Sequence, residues 1–132
     1  MGDTVNEVIK SNNIELIKRI RGTFKAKLDR AANVLIDELQ NNNDGTFLFD
    51  QIIDSEVTAL LSNLQKIKDI AEDLHVKYTI TRVHMEGSIE NQLEQEDNLY
   101  ATIIDKTHHD AVKVYYAYST QLEAQQQIKK GT

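Results

Sequence analysis

Residues 53–78 read IDSEVTALLSNLQKIKDIAEDLHVKY, and this stretch decides the fold that the sequence predicts. Its main apolar residues follow one another at alternating steps of four and three: Ile53, Val57, Leu60, Leu64, Ile67, Ala71, Leu74 and Tyr78. This spacing places them on one stripe of an α-helix. The positions between them are largely polar, so the opposite face of the helix suits water. The stripe therefore has to be buried against another part of the chain.

A second apolar stripe of similar length precedes the first. Its members are Ile17, Ile20, Phe24, Leu28, Ala31, Leu35 and Leu39. Asn12, followed three residues later by Glu15, resembles a capping box at the start of this helix. The polar segment 41–46, NNNDGT, favours a helix end and a turn between the two stripes. We therefore predict an antiparallel helical hairpin with helices at about 13–41 and 47–75.

The period of the apolar pattern changes from 3.6 to 2 after Leu74. Val76, Tyr78 and Ile80 alternate with polar residues, and similar alternation recurs further along the chain. These windows are rich in β-branched and aromatic residues, which favour strands. The sequence thus predicts an α+β fold, in which the hairpin packs with a small three-stranded antiparallel sheet. The predicted strands lie at about 76–84, 98–106 and 111–120.

An all-α four-helix bundle is the alternative fold. A near-helical spacing is also kept in the second half of the chain by Leu99, Ile103, Ala111, Val114, Tyr118 and Leu122. No Gly or Pro marks the hairpin turn that the sheet requires at 107–109. Residues 86–98 form either a long loop or a short helix capped by Ser88. Residues 121–130 form either a short terminal helix or a frayed tail.

Composition limits the possible classes of protein. A chain of 132 residues fits one domain spanning 1–132. The absence of cysteine excludes a disulfide scaffold and thiolate metal sites, and the absence of proline favours long uninterrupted elements. No apolar run reaches membrane-spanning length and no leader segment is recognisable, so we expect a cytoplasmic protein that does not enter a membrane.

The sequence contains only weak signals for metal binding or catalysis. The turn around Gly45 resembles a calcium loop, but Gln40 and Gln51 occupy positions that need acidic ligands, so a helix cap and turn is the better interpretation. His108 and His109 fall at the predicted hairpin tip and His84 near the end of the first predicted strand. Adjacent histidines on a strand point to opposite faces and cannot bind one ion together. No catalytic or cofactor motif is present, and we expect neither an enzyme nor a bound cofactor.

The charged residues are distributed unevenly along the chain. A candidate face for nucleic acid or another anion on the first long helix comprises Lys18, Arg19, Arg21, Lys25, Lys27 and Arg30. A candidate acidic partner-binding segment comprises Glu86, Glu90, Glu94, Glu96 and Asp97. Because the basic residues fall on both sides of the apolar stripe, the simpler interpretation is that their stems cover the core and their charges face water.

These patterns favour a non-enzymatic protein–protein interaction or assembly module that binds a protein partner or a second copy of itself. Two long apolar stripes are hard to cover in one small domain, so surplus residues such as Ile52, Leu61 and Ile70 become a self-association surface, paired as in a coiled coil. One alternative is nucleic-acid or anion binding through Lys18–Arg30, against which the net charge of −6 acts. Another is an acidic inhibitor that mimics nucleic acid.

Overall fold

The structure, a computed structural model, describes residues 2–40, 46–49, 54–86 and 91–130, without the side chains of 1–4, 85, 86, 91–94, 96 and 128–130. These residues form four helices, α1 (Gly2–Lys10), α2 (Ile14–Leu39), α3 (Asp54–Glu86) and α4 (Asn91–Lys130). α2 packs along α3, α4 packs against both, and the short α1 rests on α2 and α3. None of the described helices combines the length and the apolar character needed to cross a bilayer.

The predicted helical hairpin is confirmed as the centre of the fold. α2 and α3 run antiparallel and bury their apolar stripes against each other, with fully enclosed leucines such as Leu28 and Leu64. Each such side chain contributes about 1.5–3 kcal/mol by leaving water. The predicted limits of the second helix were wrong, since α3 begins at Asp54 instead of residue 47 and continues to Glu86 instead of ending at 75.

The start of α2 is fixed by a residue next to the predicted one. Asn13 is the N-cap, and its side-chain oxygen accepts a hydrogen bond from the backbone N–H of Leu16 at 3.2 Å. Asn12, which the capping-box pattern selected, instead accepts a hydrogen bond from the Lys77 ammonium at 3.3 Å. The side chain that caps the helix therefore lies one position later than expected.

The predicted α+β fold was wrong, and the all-α alternative fits. All three predicted strands, at 76–84, 98–106 and 111–120, lie inside α3 and α4. The strand prediction placed Val76, Tyr78 and Ile80 on one apolar face. In the helix, Tyr78 is 6 % exposed while Val76 is 55 % and Ile80 is 50 % exposed, because residues two apart on a helix point in very different directions.

α4 is helical without interruption from Asn91 to Lys130, a length of roughly 60 Å at 1.5 Å per residue. No Gly or Pro lies between these residues. Nothing therefore interrupts the helical hydrogen bonds, and the strand preference of its Val, Ile and Tyr residues amounts to tenths of a kcal/mol each. Burial of one helical stripe, containing Tyr100, Ile104, Ala111 and Tyr118, outweighs this preference.

Several predicted turns lie inside helices or outside the described residues. The hairpin turn expected at 107–109 lies in the middle of α4, and the terminal segment 121–130 is the last part of the same helix. Between α3 and α4, Ser88 lies outside the described residues. So does most of the calcium-like turn around Gly45.

The connection between α2 and α3 packs against the C-terminal half of α4. The backbone N–H of Leu48 donates to the carbonyl of Leu39 at 3.0 Å. The rings of Phe47 and Phe49 lie 5.9 and 5.7 Å from the ring of Tyr118, measured between centroids. These aromatic contacts close the end of the bundle where α3 begins.

Candidate functional site

The described core contains one ionic cluster, where α2 and α4 begin and α3 ends. Asp97 of α4 is 6 % exposed and Arg82 of α3 is 3 % exposed. The Nη2 group of Arg82 donates to Oδ2 of Asp97, and Nη1 of Arg21 from α2 donates to Oδ1 at 3.4 Å. One carboxylate thus links three helices through two guanidinium groups.

Aromatic rings enclose the guanidinium group of Arg21. Its central carbon lies 3.9 Å from the ring centroid of Tyr78 and 4.4 Å from that of Tyr100, within the range of cation–π attraction. The Tyr100 hydroxyl donates to the Arg21 backbone carbonyl at 2.8 Å. His75 stacks on Tyr100 with centroids 4.9 Å apart, and its Nδ1 lies 3.1 Å from Nη1 of Arg21.

The environment keeps the two neighbouring titratable rings neutral. Burial lowers the pKa of His75, and the positive charge of Arg21 lowers it further. Because the guanidinium can only donate, Nδ1 of this neutral imidazole acts as the acceptor. Burial raises the pKa of Tyr100 to about 12, against a smaller opposing effect of Arg21.

Among the described side chains, the cluster has more positive than negative charge. Two guanidinium groups face one carboxylate, and Nε and Nη1 of Arg82 have no hydrogen-bond partner among the described residues. A buried donor without a partner costs about 1–3 kcal/mol. Buried ion pairs of this kind position helices relative to one another more than they stabilise them. Arg82 and Asp97 are almost completely buried and the side chain of Arg21 is 11 % exposed, so we interpret the cluster as the element that fixes the register of α2, α3 and α4.

The six residues of the predicted basic face do not share one surface. Arg21 belongs to the buried cluster, and Lys25 and Lys27 are half-buried, while the ammonium of Lys27 lies 4.7 Å from the centroid of the Phe24 ring. The exposed members are Lys18, Arg19 and Arg30. Arg19 and Arg30 lie about three turns apart on the same side of α2, and Lys18 points roughly a quarter-turn away from Arg19. Nucleic-acid binding at this helix stays a prediction.

The predicted acidic segment is only partly described. Asp97 is enclosed by the two arginines and is not at the surface. Glu90 lies outside the described residues, and so do the side chains of Glu86, Glu94 and Glu96. Binding of a partner through this segment stays a prediction.

The predicted self-association residues and the histidines occupy varied positions. Leu61 and Ile70 are half-buried against the core, and Ile52 lies outside the described residues.

His108 is half-buried, with Nε2 lying 2.9 Å from Oε1 of Gln65, and burial together with the charge of Lys68 lowers the pKa of His108. His84 and His109 are exposed. Within the described ranges, no three His, Asp or Glu side chains come close enough together to hold a metal ion.

An exposed apolar stripe on α3 was missed because its residues were assigned to a strand. Val76, Ile80 and Val83 follow one another at steps of four and three, so they share one side of the helix. All three are exposed, on the side of α3 that faces away from the core. We refer to these three residues as the α3 stripe.

The α3 stripe continues a face that begins as a groove between α3 and α4. This groove has a volume of about 530 Å³ and is lined by residues that include Leu61, Val112, Tyr115 and Tyr116. It is open to solvent, and the ring of Tyr116 is exposed at its edge. The same face of α3 therefore lines the groove with α4 in the first half of the helix and carries the exposed α3 stripe in its last turns.

The ionic cluster was also absent from the sequence predictions, although a signal for it exists. Arg82 follows the buried Tyr78 by four residues, and Asp97 precedes the buried Tyr100 by three. Helical spacing therefore places both charges on the core side of their helices. The assignment of 76–84 and 98–106 to strands hid this relationship.

No protein-family model, curated protein or solved structure matches this chain. The class of protein that the geometry defines is an all-helical bundle with a buried ionic cluster and an exposed aliphatic stripe.

Proposed function

We propose that this chain is a non-enzymatic interaction module that associates with a second copy of itself through the α3 stripe. The observation that supports this proposal is the exposure of three large aliphatic side chains, Val76, Ile80 and Val83, on one side of one helix. Single exposed aliphatic residues are common on protein surfaces. An aligned group is more typical of an interaction site.

The arrangement favours a two-fold, antiparallel contact between two copies of α3. In such a contact residue i of one copy faces residue j of the other, and the reverse. Val76 of each copy then packs against Ile80 of the other. The acidic residue Asp73 precedes the stripe and His84 follows it, so the same pairing brings the carboxylate of one copy beside the imidazole of the other.

The expected association is weak and reversible. Three half-exposed side chains cover less than the roughly 800 Å² per partner that stable dimers bury. We therefore expect a dissociation constant on the order of 100 µM. Electrostatic pairing at the rim of a contact contributes to orientation more than to affinity.

Sedimentation velocity over a protein concentration series tests the proposal. The sedimentation coefficient of the wild-type chain should rise between about 10 µM and 1 mM, as expected for a constant of this size. Val76→Asp should abolish the rise, because the carboxylate would lose water in the contact. Val34→Asp on α2 is the matched control, since Val34 is 46 % exposed against 55 % for Val76. A monomeric wild-type chain at 1 mM, or equal effects of the two substitutions, would contradict the proposal.

A further inference from the structure

A polar pocket lies where the connection between α1 and α2 meets the last turns of α3. Its volume is about 440 Å³, and its described lining residues are Asn12, Lys77, Ile80, Thr81 and His84. Four of these five side chains carry hydrogen-bonding groups, and none of the five is acidic. The pocket therefore combines hydrogen-bond donors with the positive charge of Lys77.

The three α3 residues that carry donors share one side of the helix. Lys77, Thr81 and His84 follow one another at steps of four and three, so their side chains line about two helical turns. The ammonium of Lys77 donates to Oδ1 of Asn12 at 3.3 Å, and both residues line the pocket. Thr81 lies between Lys77 and His84 along the helix.

Thr81 supplies an observation that points to a ligand. The residue is 4 % exposed, and its hydroxyl group has no hydrogen-bond partner among the described residues. Threonine in a helix commonly donates to a carbonyl of the preceding turn. Here that hydrogen bond is not made, although an unsatisfied buried hydroxyl is unfavourable. Thr81 lines the pocket, and the site requires its hydroxyl group to rotate about the Cα–Cβ bond into the cavity.

The geometry points to a binding site for a phosphate group, held by the Lys77 ammonium, the Thr81 hydroxyl and the His84 imidazole. Lysine is a common phosphate ligand that acts as a point charge, and a phosphate group offers several acceptor oxygens in different directions. A planar carboxylate has only two oxygens and matches this spread of donors less well. The ligand is either free phosphate or a phosphate monoester, since the pocket is open on one side.

NMR titration of the ¹⁵N-labelled full chain with sodium phosphate tests this site, with sodium chloride added to keep the ionic strength constant. We expect saturable shifts of the backbone amides from Lys77 to His84, with an apparent dissociation constant in the low-millimolar range. Titrations with O-phosphoserine and with acetate complete the series. Tighter binding of O-phosphoserine than of phosphate identifies a monoester site, the reverse order identifies a free-phosphate site, and binding of acetate equal to both overturns the inference.

Two substitutions and one control distinguish this site from a general attraction of anions. Lys77→Gln should weaken phosphate binding at least tenfold, and Thr81→Val should weaken it severalfold while leaving the fold intact, because valine has nearly the same shape. Lys106→Gln, at an exposed position on α4, should leave binding unchanged. Shifts that do not saturate, or equal effects of Lys77→Gln and Lys106→Gln, would overturn the site.

Ile80 and His84 belong both to the proposed contact between two copies and to this pocket, so phosphate binding is tested on the monomer. The titrations use about 10 µM protein, the low end of the range over which the proposed dimer forms. A Val76→Ser variant, which removes the aliphatic side chain without adding a charge beside Lys77, should bind phosphate as the wild-type chain does, because Val76 does not line the pocket. Loss of phosphate binding in this variant would overturn the assignment to this pocket, whatever the oligomeric state.

Discussion

Asp97→Asn removes one negative charge from between two buried guanidinium groups and hardly changes the volume of the side chain. Asp97 is the only acidic partner that the described residues provide for Arg82 and Arg21 in the cluster. Removing one member of a buried ion pair costs about 3–5 kcal/mol, because the remaining charge stays out of water without compensation. We expect a loss of this size in the free energy of unfolding.

The expected loss corresponds to a large change in thermal stability. An unfolding entropy of about 2.1 cal/mol/K per residue gives roughly 0.28 kcal/mol/K for a chain of this length. The midpoint of thermal unfolding should therefore fall by roughly 10–18 °C. Urea unfolding followed by circular dichroism at 222 nm measures the free energy of unfolding directly. The slope of this free energy against urea concentration should be the same for the wild-type chain and Asp97→Asn if both have the same fold.

Asp105→Asn is the matched control for this experiment. The carboxylate of Asp105 lies 3.3 Å from the Lys68 ammonium, but its side chain is 66 % exposed. Exposed ion pairs contribute at most about 1 kcal/mol. A loss below about 1 kcal/mol in Asp97→Asn, similar to the control, would refute the reasoning.

A triple substitution separates the effect of an uncompensated buried charge from the effect of lost contacts. Arg21→Met, Arg82→Met and Asp97→Leu together replace the whole ionic cluster by apolar side chains of similar size. Such replacements are often neutral or stabilising. The triple variant should therefore be more stable than Asp97→Asn alone. A lower stability of the triple variant would show that packing and not charge determines the effect.

Two further predictions concern the packing and the titration of α4. Ile104→Ala should lower the free energy of unfolding by about 2–5 kcal/mol, and Leu99→Ala should change it by less than about 0.5 kcal/mol, because only Ile104 is buried. Urea unfolding that ranks the two variants in reverse would contradict this packing of α4. The pKa of Tyr100 rises from its usual 10 to about 12 on folding, so its contribution is fully present below pH 10 and is lost as the pH rises through 12. Tyr100→Phe should therefore make the free energy of unfolding less dependent on pH between about 9 and 12, and parallel curves would contradict this assignment.

The sequence predicted α2 well because only one periodicity fits it. From Ile17 to Leu39 the apolar residues recur at helical spacing, and the alternation of period two is confined to the short run from Phe24 to Asp29. Between Val76 and Tyr118 both periods fit, since β-branched and aromatic residues are frequent there. Whether these residues form helix or strand depends on which apolar surface of α2 and α3 they have to cover. This surface exists only in the assembled bundle and is not encoded in local conformational preferences.

The ionic cluster depends on the tertiary structure even more strongly. Arg82 and Asp97 are separated by the connection between α3 and α4, and they meet only because α4 folds back along α3. Charged residues in a short apolar pattern are usually interpreted as facing water. The stripe formed by Val76, Ile80 and Val83 follows from the same fact, since the turn of α3 that buries Arg82 directs these aliphatic residues outward.

Toward residue 127, α4 packs little against the rest of the bundle. Residues 123–127 are all exposed, although Glu123 and Gln126 border a cavity next to the first turn of α3, so side-chain packing stabilises this segment little. A free peptide of this length would not be helical in water, because starting a helix is costly. Here the packed turns before Leu122 have already started it, and each later residue only has to add one hydrogen bond. The helical state of this part of α4 therefore depends on the packed turns that precede it. We expect it to unfold from its C-terminal end at temperatures where the rest of the molecule is still folded.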